Sequence, residues 1–481
     1  MPSGAAHHEH RGGLMQHDEN ASGPTPDGDV GTDGVSRRTV LKTFGAGALA
    51  VGAGRVVRPE IAVRRTVGHV ARGQAAGGNV VKIGYVTPET GALADFSQSD
   101  VFVLDKVRSS APFAKGMKIG GKKYRLEITV VDSQSSPNRA AQVAQQLVLQ
   151  NKVDIVVTSS APETTNPVAS TCEQLHVPNL ATVVPWEAWY GGLGGNPVSP
   201  TKSYPYSSMF FFGLKEFGGT FLPMWQRIEA KTHAAKIYAA MFPNDADGNA
   251  FRAAWPQYPA AVGYKEVDGG AYTDGTTNYS SMIEKFKSSG CEFYVNAPLP
   301  PDFNTFWKQA VQQGFKPKLA TVAKVLLFPS DVVALGSLVN NIATDAWWTP
   351  FAPYKSSLTG ETAKQFALDY ENKTGREWVQ SMGSAYSLFE VVVAALNKVS
   401  DPHHKAEVAH ALHNLSYRGI SGPINFSNGP APGVGIVKPV GIQWKQGKKQ
   451  NGRKFPWEPF VVDNSLNKAV PINGDLEPTN P

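Results

Sequence analysis

The sequence predicts an α/β protein built from two doubly wound lobes, and three observations carry that prediction. Apolar runs with strand character alternate with amphipathic helical stripes. The alternation breaks off in the Gly- and Pro-rich stretch 191–205 and then starts again. Finally, 481 residues exceed the roughly 250–300 at which a single core stops growing.

The stretch 79–96, NVVKIGYVTPETGALADF, opens the first series. Val80, Val81, Ile83, Tyr85 and Val86 make a near-continuous apolar run, which suits a strand covered on both faces in a parallel sheet. Thr87, Pro88, Glu89, Thr90 and Gly91 then turn polar at its carboxyl end, where open α/β sheets hold their ligands. Leu126, Ile128 and Val130 alternate with polar residues, so 125–131 is expected as a strand. Ser136 is placed to cap a helix that opens with Pro137. The apolar stripe of that helix is Ala140, Val143, Ala144, Leu147 and Val148. A strand over 153–158 ends in the polar loop 159–165 and a helix carrying Val168, Cys172 and Leu175. Another strand over 177–183 ends in a loop with Trp186, Trp189 and Tyr190.

The second series begins with a strand over 234–242, followed by the loop 243–248 and a helix to about 261. A short strand over 264–267, a helix through Tyr279, Ile283 and Phe286, a strand over 291–297 and a helix through Phe303, Phe306 and Trp307 complete it. Helices are expected at about 358–375, 381–399 and 404–415, and strands at 422–426 and 438–444. Residues after Pro456 read as an extended, loosely ordered tail.

The formal charge of +6 does not point to nucleic acid, because much of the positive charge sits in the first 75 residues. No run of about 18 apolar residues occurs, so no membrane-spanning helix is expected in the mature chain. Residues 1–35 are polar and patternless, which predicts disorder. Over 36–76, Arg37-Arg38 precedes a short apolar run and small residues, the order of a twin-arginine export signal, with Val40 where such signals usually carry Phe. Cys172 and Cys291 are expected as buried free thiols, and no cysteine stands near the signal for a lipid to modify.

Taken in order, KIGYVTPETGALADF, VVDSQSSPNRAAQVAQQLV, KVDIVVTSSAPETTNPVA, LHVPNLAT, FPNDADGNAF and FKSSGCEFYV resemble the solute-binding proteins of ABC importers, of the branched-chain amino-acid (Leu/Ile/Val-binding, type I) family. The resemblance implies two lobes joined by three hinge crossovers, with a ligand cleft between them. Lobe one would comprise 79–211 plus 348–416, lobe two 212–347 plus 417–461, and 462–481 would form the tail. It also implies a small-molecule ligand, a membrane permease as partner, an exported monomer and no cofactor. The same fold used as a ligand sensor that signals to a membrane partner is the alternative.

Carried over position by position, the family's carboxylate-holding loops correspond to Thr90 and Gly91, then Ser159, Ser160 and Ala161, then Ala181 and Thr182. Backbone N–H groups at helix amino termini suit such a group, although serine and threonine before a helix also serve as caps. In the second lobe the pattern departs from the family. Asp247 and Leu299 stand where aromatic residues are common, and Ala323 stands where an acid pairs with an amino-acid ammonium. Lys324, of opposite sign, is its neighbour. An ordinary amino-acid ligand is therefore disfavoured unless Asp247 or Glu163 substitutes for that acid, since an unpaired buried charge costs several kcal/mol. Tyr85, Phe96 and Trp186, with Trp189, Tyr190, Trp347 and Trp348, supply rings that suit a flat or bulky apolar ligand, a small organic acid among them.

No G-x-S-x-G elbow, phosphate-binding loop, dinucleotide fingerprint or H-E-x-x-H motif occurs, so no enzyme is predicted. Of His403, His404, His410 and His413, only His410 and His413 are spaced to chelate together, and they lack a third ligand, so a solvated helix face is expected; the basic run 445–454 reads as exposed loop.

Overall fold

The computed structural model describes residues 79–447 and 455–480. The expectations for 1–35 and for the export signal at 36–76 lie outside the described residues, as does most of the basic run 445–454.

The strands are β1 (Val80–Thr87), β2 (Met117–Ile119), β3 (Lys122–Asp132), β4 (Ile155–Ser159), β5 (Asn179–Thr182), β6 (Ser207–Phe211), β7 (Ile237–Pro243) and β8 (Lys265–Tyr272). They continue with β9 (Phe293–Asn296), β10 (Leu319–Val322), β11 (Ala343–Ala346), β12 (Ser416–Gly419), β13 (Gly422–Asn425), β14 (Val434–Ile436), β15 (Val440–Gln446) and β16 (Trp457–Asp463). One seven-stranded sheet runs β14-β6-β5-β4-β1-β3-β2 and a second runs β16-β15-β11-β10-β9-β7-β8. Both are parallel at their centres and end in antiparallel edges, at β2 in the first and at β15 and β16 in the second. The two doubly wound α/β lobes foreseen from the alternation are these sheets with their helices.

Local chemistry sets the elements as read. Ser136 Oγ accepts a bond from Arg139 N at 3.3 Å, with Pro137 as the first residue of the helix Pro137–Leu149. The stripe Ala140, Val143, Ala144, Leu147 and Val148 is buried against the sheet. Cys172 and Cys291 are buried and unpaired with each other.

The strand order reverses beside β1 in the first sheet, with β3 on one side and β4 on the other, and beside β7 in the second, with β8 and β9. Such switch points leave a crevice outside the carboxyl ends of the strands. The chain passes from the first sheet to the second through the helix Leu214–Thr232. It returns after β11 to the helices Ala363–Thr374, Gln380–Leu396 and Lys405–His413, the second of which packs on β4 and β5.

Two readings need correction. The stretch from 417 onward does not run straight into the second lobe, because β14 pairs with β6 in the first sheet and the hairpin β12–β13 lies beside it, with Phe426 edge-on to Phe210. The last passage between sheets therefore falls at residues 437–439. The chain after Pro456 is not loosely ordered: β16 pairs along β15, Val470 and Leu476 are buried, and Thr479 N donates to Lys318 O at 2.9 Å. Its prolines and asparagines fit an irregular path whose donors are satisfied by the body of the lobe.

Candidate functional site

Both switch points open onto one narrow cavity. Phe96 follows β1, Ala161 follows β4, Val183 and Pro185 follow β5, and Phe211 and Phe212 end β6. From the second sheet, Asp247 and Phe251 follow β7, Ala297 follows β9, Ala323, Lys324 and Leu327 follow β10, and Asp345 and Trp347 end β11. Phe217, from the helix that links the sheets, completes the wall.

The rings form a connected wall. Phe211 stacks on Phe212 at 4.2 Å between centroids and meets Trp347 edge-on at 5.0 Å. Phe212 meets Phe217 at 4.7 Å, and Phe217 meets Phe251 at 5.0 Å. Across the lobes, Phe96 stands edge-on to Phe328 at 4.9 Å.

The charged part centres on Lys324. Its Nζ lies 2.8 Å from Asp247 Oδ2, 3.1 Å from Glu163 Oε1 and 3.4 Å from Asp245 Oδ2. Lys324 adopts the left-handed region at φ 67°, as does Leu326 at φ 60°, so the chain after β10 turns sharply as it presents the ammonium. On the facing lobe, Val183 does the same at φ 65°, a costly state for a β-branched residue that the surrounding structure must hold. Burial lowers the pKa of Lys324, but Asp247, Glu163 and Asp245 more than reverse this and hold it well above the ordinary value. One lysine and three carboxylates leave two negative charges uncompensated when all are ionised (1 − 3 = −2). Burial accordingly pushes Asp247 up to about 7, against the pull of Lys324 and with the help of Glu163 and Asp245. Asp345, at the end of β11, is pushed up to about 7 by burial.

Of the residues selected from sequence, Phe96, Ala161, Asp247, Ala323, Lys324 and Trp347 line the cavity. The others lie elsewhere. Tyr85 is buried in the core, with its hydroxyl donating to Asp100 Oδ2 at 2.9 Å and its ring edge-on to Phe389. Thr90 is committed to Asp132: its N–H and hydroxyl donate at 3.3 and 2.7 Å, and Glu89 N and Gln134 N bond the same carboxylate. Gly91 is exposed at φ 92° against Ser135, so the turn itself accounts for this glycine. Thr182 Oγ1 donates to Phe210 O at 2.6 Å, and Ala181 is buried in β5. Ser159 and Ser160 are buried with hydroxyls that lack a partner, at the amino end of the helix Pro162–Gln174. Trp186 opens the short helix Trp186–Gly192 behind Pro185, and Leu299 is the residue before the helix Pro300–Gln312. Among the histidines, His403 Nδ1 lies 2.8 Å from Asp154 Oδ1, and His413 Nε2 lies 3.0 Å from Ser207 O.

Sequence reasoning passed over Phe211, Phe212, Phe217, Phe251 and Asp345. The signal for the first two was available: the apolar run 209–212 follows a Pro-rich stretch and ends at a glycine, the form of a further buried strand. Asp345 carries no such signal, because its meaning depends on where β11 ends.

Comparison with solved structures returns the same fold. The leucine-binding protein LivK from Thermotoga maritima superposes with a TM-score of 0.61 at 18% identity, covering 76% of this chain and 96% of that one. The branched-chain amino-acid transporter substrate-binding protein LivJ from Streptococcus pneumoniae, in complex with isoleucine, gives 0.60 at 18% identity, covering 79% and 99%. An ABC-transporter solute-binding protein from Rhodopseudomonas palustris, in complex with 3,4-dihydroxybenzoic acid, gives 0.59 at 15% identity, covering 77% and 94%. The periplasmic binding protein profile matches residues 80–435, and on that match the chain belongs to the periplasmic binding protein family.

Proposed function

We propose that this protein is an extracytoplasmic solute-binding protein, exported through the twin-arginine-type segment 36–76, that captures a small organic ligand between its lobes and delivers it to the permease of an ABC importer. The observation that carries the reading is a single cavity lined from the carboxyl ends of both sheets and crossed by the Lys324–Glu163 ion pair. A site shared in this way senses the separation of the lobes, so a ligand that fills it favours the closed arrangement, the property a permease can recognise. Solved members of the fold hold isoleucine and 3,4-dihydroxybenzoic acid, so amino acids and aromatic acids both belong in a screen. The ring wall supports a ligand with a sizeable apolar body.

The test is a thermal-shift screen across amino acids, aromatic acids, amines and neutral aromatics, with the recovered compound analysed afterwards. A bound ligand at about 100 times its Kd raises stability by about 2.7 kcal/mol and is recovered unchanged. Chemical conversion of the compound, or no stabilisation by any compound, would overturn the proposal.

A further inference from the structure

The polar groups around the cavity bear on the charge of the ligand. Asp345 and Asp247 both line it, are 1% and 4% exposed, and each has an Oδ1 atom without a hydrogen-bond partner. The Oδ2 atom of Asp247 is taken by Lys324, whereas no ion pair engages Asp345 among the described residues. Resting on the solute-binding reading, we infer that the ligand is an organic cation with an apolar body, its positive charge held by Asp345 against the rings of Phe211, Phe212 and Trp347.

The donors that an anionic ligand would need are already engaged or too few. Lys324 holds three carboxylates. The amino end of the helix Pro162–Gln174 carries its own acid, Glu163, the hydroxyls of Thr90 and Thr182 are bonded within the first lobe, and the unpartnered hydroxyls of Ser159 and Ser160 belong to residues that do not line the cavity. Trp347 Nε1 lacks a partner, but one neutral N–H does not offset the repulsion of an anion by the carboxyls that line the cavity at low dielectric. A cation meets the reverse: ring faces attract it, and it supplies the partner that the orphan oxygens lack. Because burial holds Asp345 near its midpoint in neutral solution, an entering cation has a carboxyl it can draw into the ionised form.

The experiment uses the purified chain and three probes that share one ring and differ in charge: benzyltrimethylammonium, benzyl alcohol and benzoate. Binding is measured by calorimetry and thermal shift, on the natural protein and on Asp345→Asn. The natural protein is expected to bind the cation at least about tenfold more tightly than the alcohol and to show no binding of benzoate. D345N is expected to lose about tenfold in cation affinity while keeping its melting temperature within a few degrees. Should D345N fold poorly, the order of the three probes on the natural protein decides the matter alone. Equal or tighter binding of benzoate or benzyl alcohol, no binding of the cation, or unchanged cation affinity in folded D345N would overturn the inference. Binding of non-cationic solutes would leave the solute-binding reading standing, whereas failure of every compound, in this set and in the wider screen, would remove both.

Discussion

Lys324 of the second lobe places its ammonium 3.1 Å from Glu163 of the first, and this pair ties the two lobes together across the cleft. Position 324 neighbours the one at which the sequence resemblance implies an acid for a ligand's ammonium. Here the protein supplies the ammonium itself, and Asp247 and Glu163 hold the lysine's charge instead of a ligand's.

Glu163→Gln should loosen closure without unfolding either lobe. Lys324 keeps Asp247 and Asp245, and Glu163 is 24% exposed, so the change costs about 1 kcal/mol or less. Small-angle scattering of the ligand-free protein is the measurement: the radius of gyration should rise in E163Q and return toward the natural value when ligand is added. An unchanged radius in both states would show that the pair does not hold the lobes.

Lys324→Met should be far more damaging, and in a pH-dependent way. Removing the lysine leaves Asp247, Asp245 and Glu163 clustered and largely buried, a loss of about 3–5 kcal/mol at pH 8. Asp247 is already raised to about 7 with the lysine present, so without it the folded protein takes up protons that the unfolded chain does not. Stability is therefore regained as pH falls through the raised pKa toward about 4, where both states are protonated. Calorimetry at about pH 5.5 and pH 8 should show a much smaller deficit at the lower pH. Equal deficits would contradict the account.

Gly91→Ala separates a structural glycine from a ligand-binding one. At φ 92°, an added Cβ would lie 2.6 Å from Ser135 Oγ and 2.9 Å from Gln134 O, so the turn must shift at a cost of about 1–3 kcal/mol. Because Gly91 does not line the cavity, ligand affinity should hold while the melting temperature drops. A tenfold loss of affinity with an unaltered melting temperature, read by calorimetry, would restore the ligand role.

The sheets were readable where periodicity is strong and the strand is long, as in β1, β3 and the helix Pro137–Leu149. Short strands such as β10, β11 and β14, of three or four residues, carry too little pattern, and β14 joins the first sheet only through its pairing with β6. The site was partly readable for a related reason. Polar loops after strands locate the crevice and bring in Phe96, Ala161, Asp247 and Lys324. Which side chains turn into the crevice is decided by partners far away in sequence. Tyr85 turns to the core because Asp100 accepts its hydroxyl, and Thr90 is turned away by Asp132. Asp345 becomes a site residue only because β11 stops beside Phe211 and Trp347, which no local pattern reveals.

Asp100 offers a test of the core behind the site. Its Oδ2 accepts both the Thr87 hydroxyl at 2.6 Å and the Tyr85 hydroxyl at 2.9 Å, while Oδ1 has no partner. Burial pushes its pKa up to about 7, the two hydrogen bonds lower it, and Glu89 raises it. The folded carboxyl therefore keeps its proton to about pH 7, whereas the unfolded one releases it near 4, so folding is progressively penalised as pH rises between those values and the penalty is constant above. In Asp100→Asn the side-chain oxygen can still accept both hydroxyls and no longer titrates. The difference in melting temperature, variant minus natural protein, should thus grow more positive from about pH 5 to pH 8 and then level off, as followed by circular dichroism. A difference that is flat, or that falls over this range, would mean that Asp100 is already ionised in the folded core.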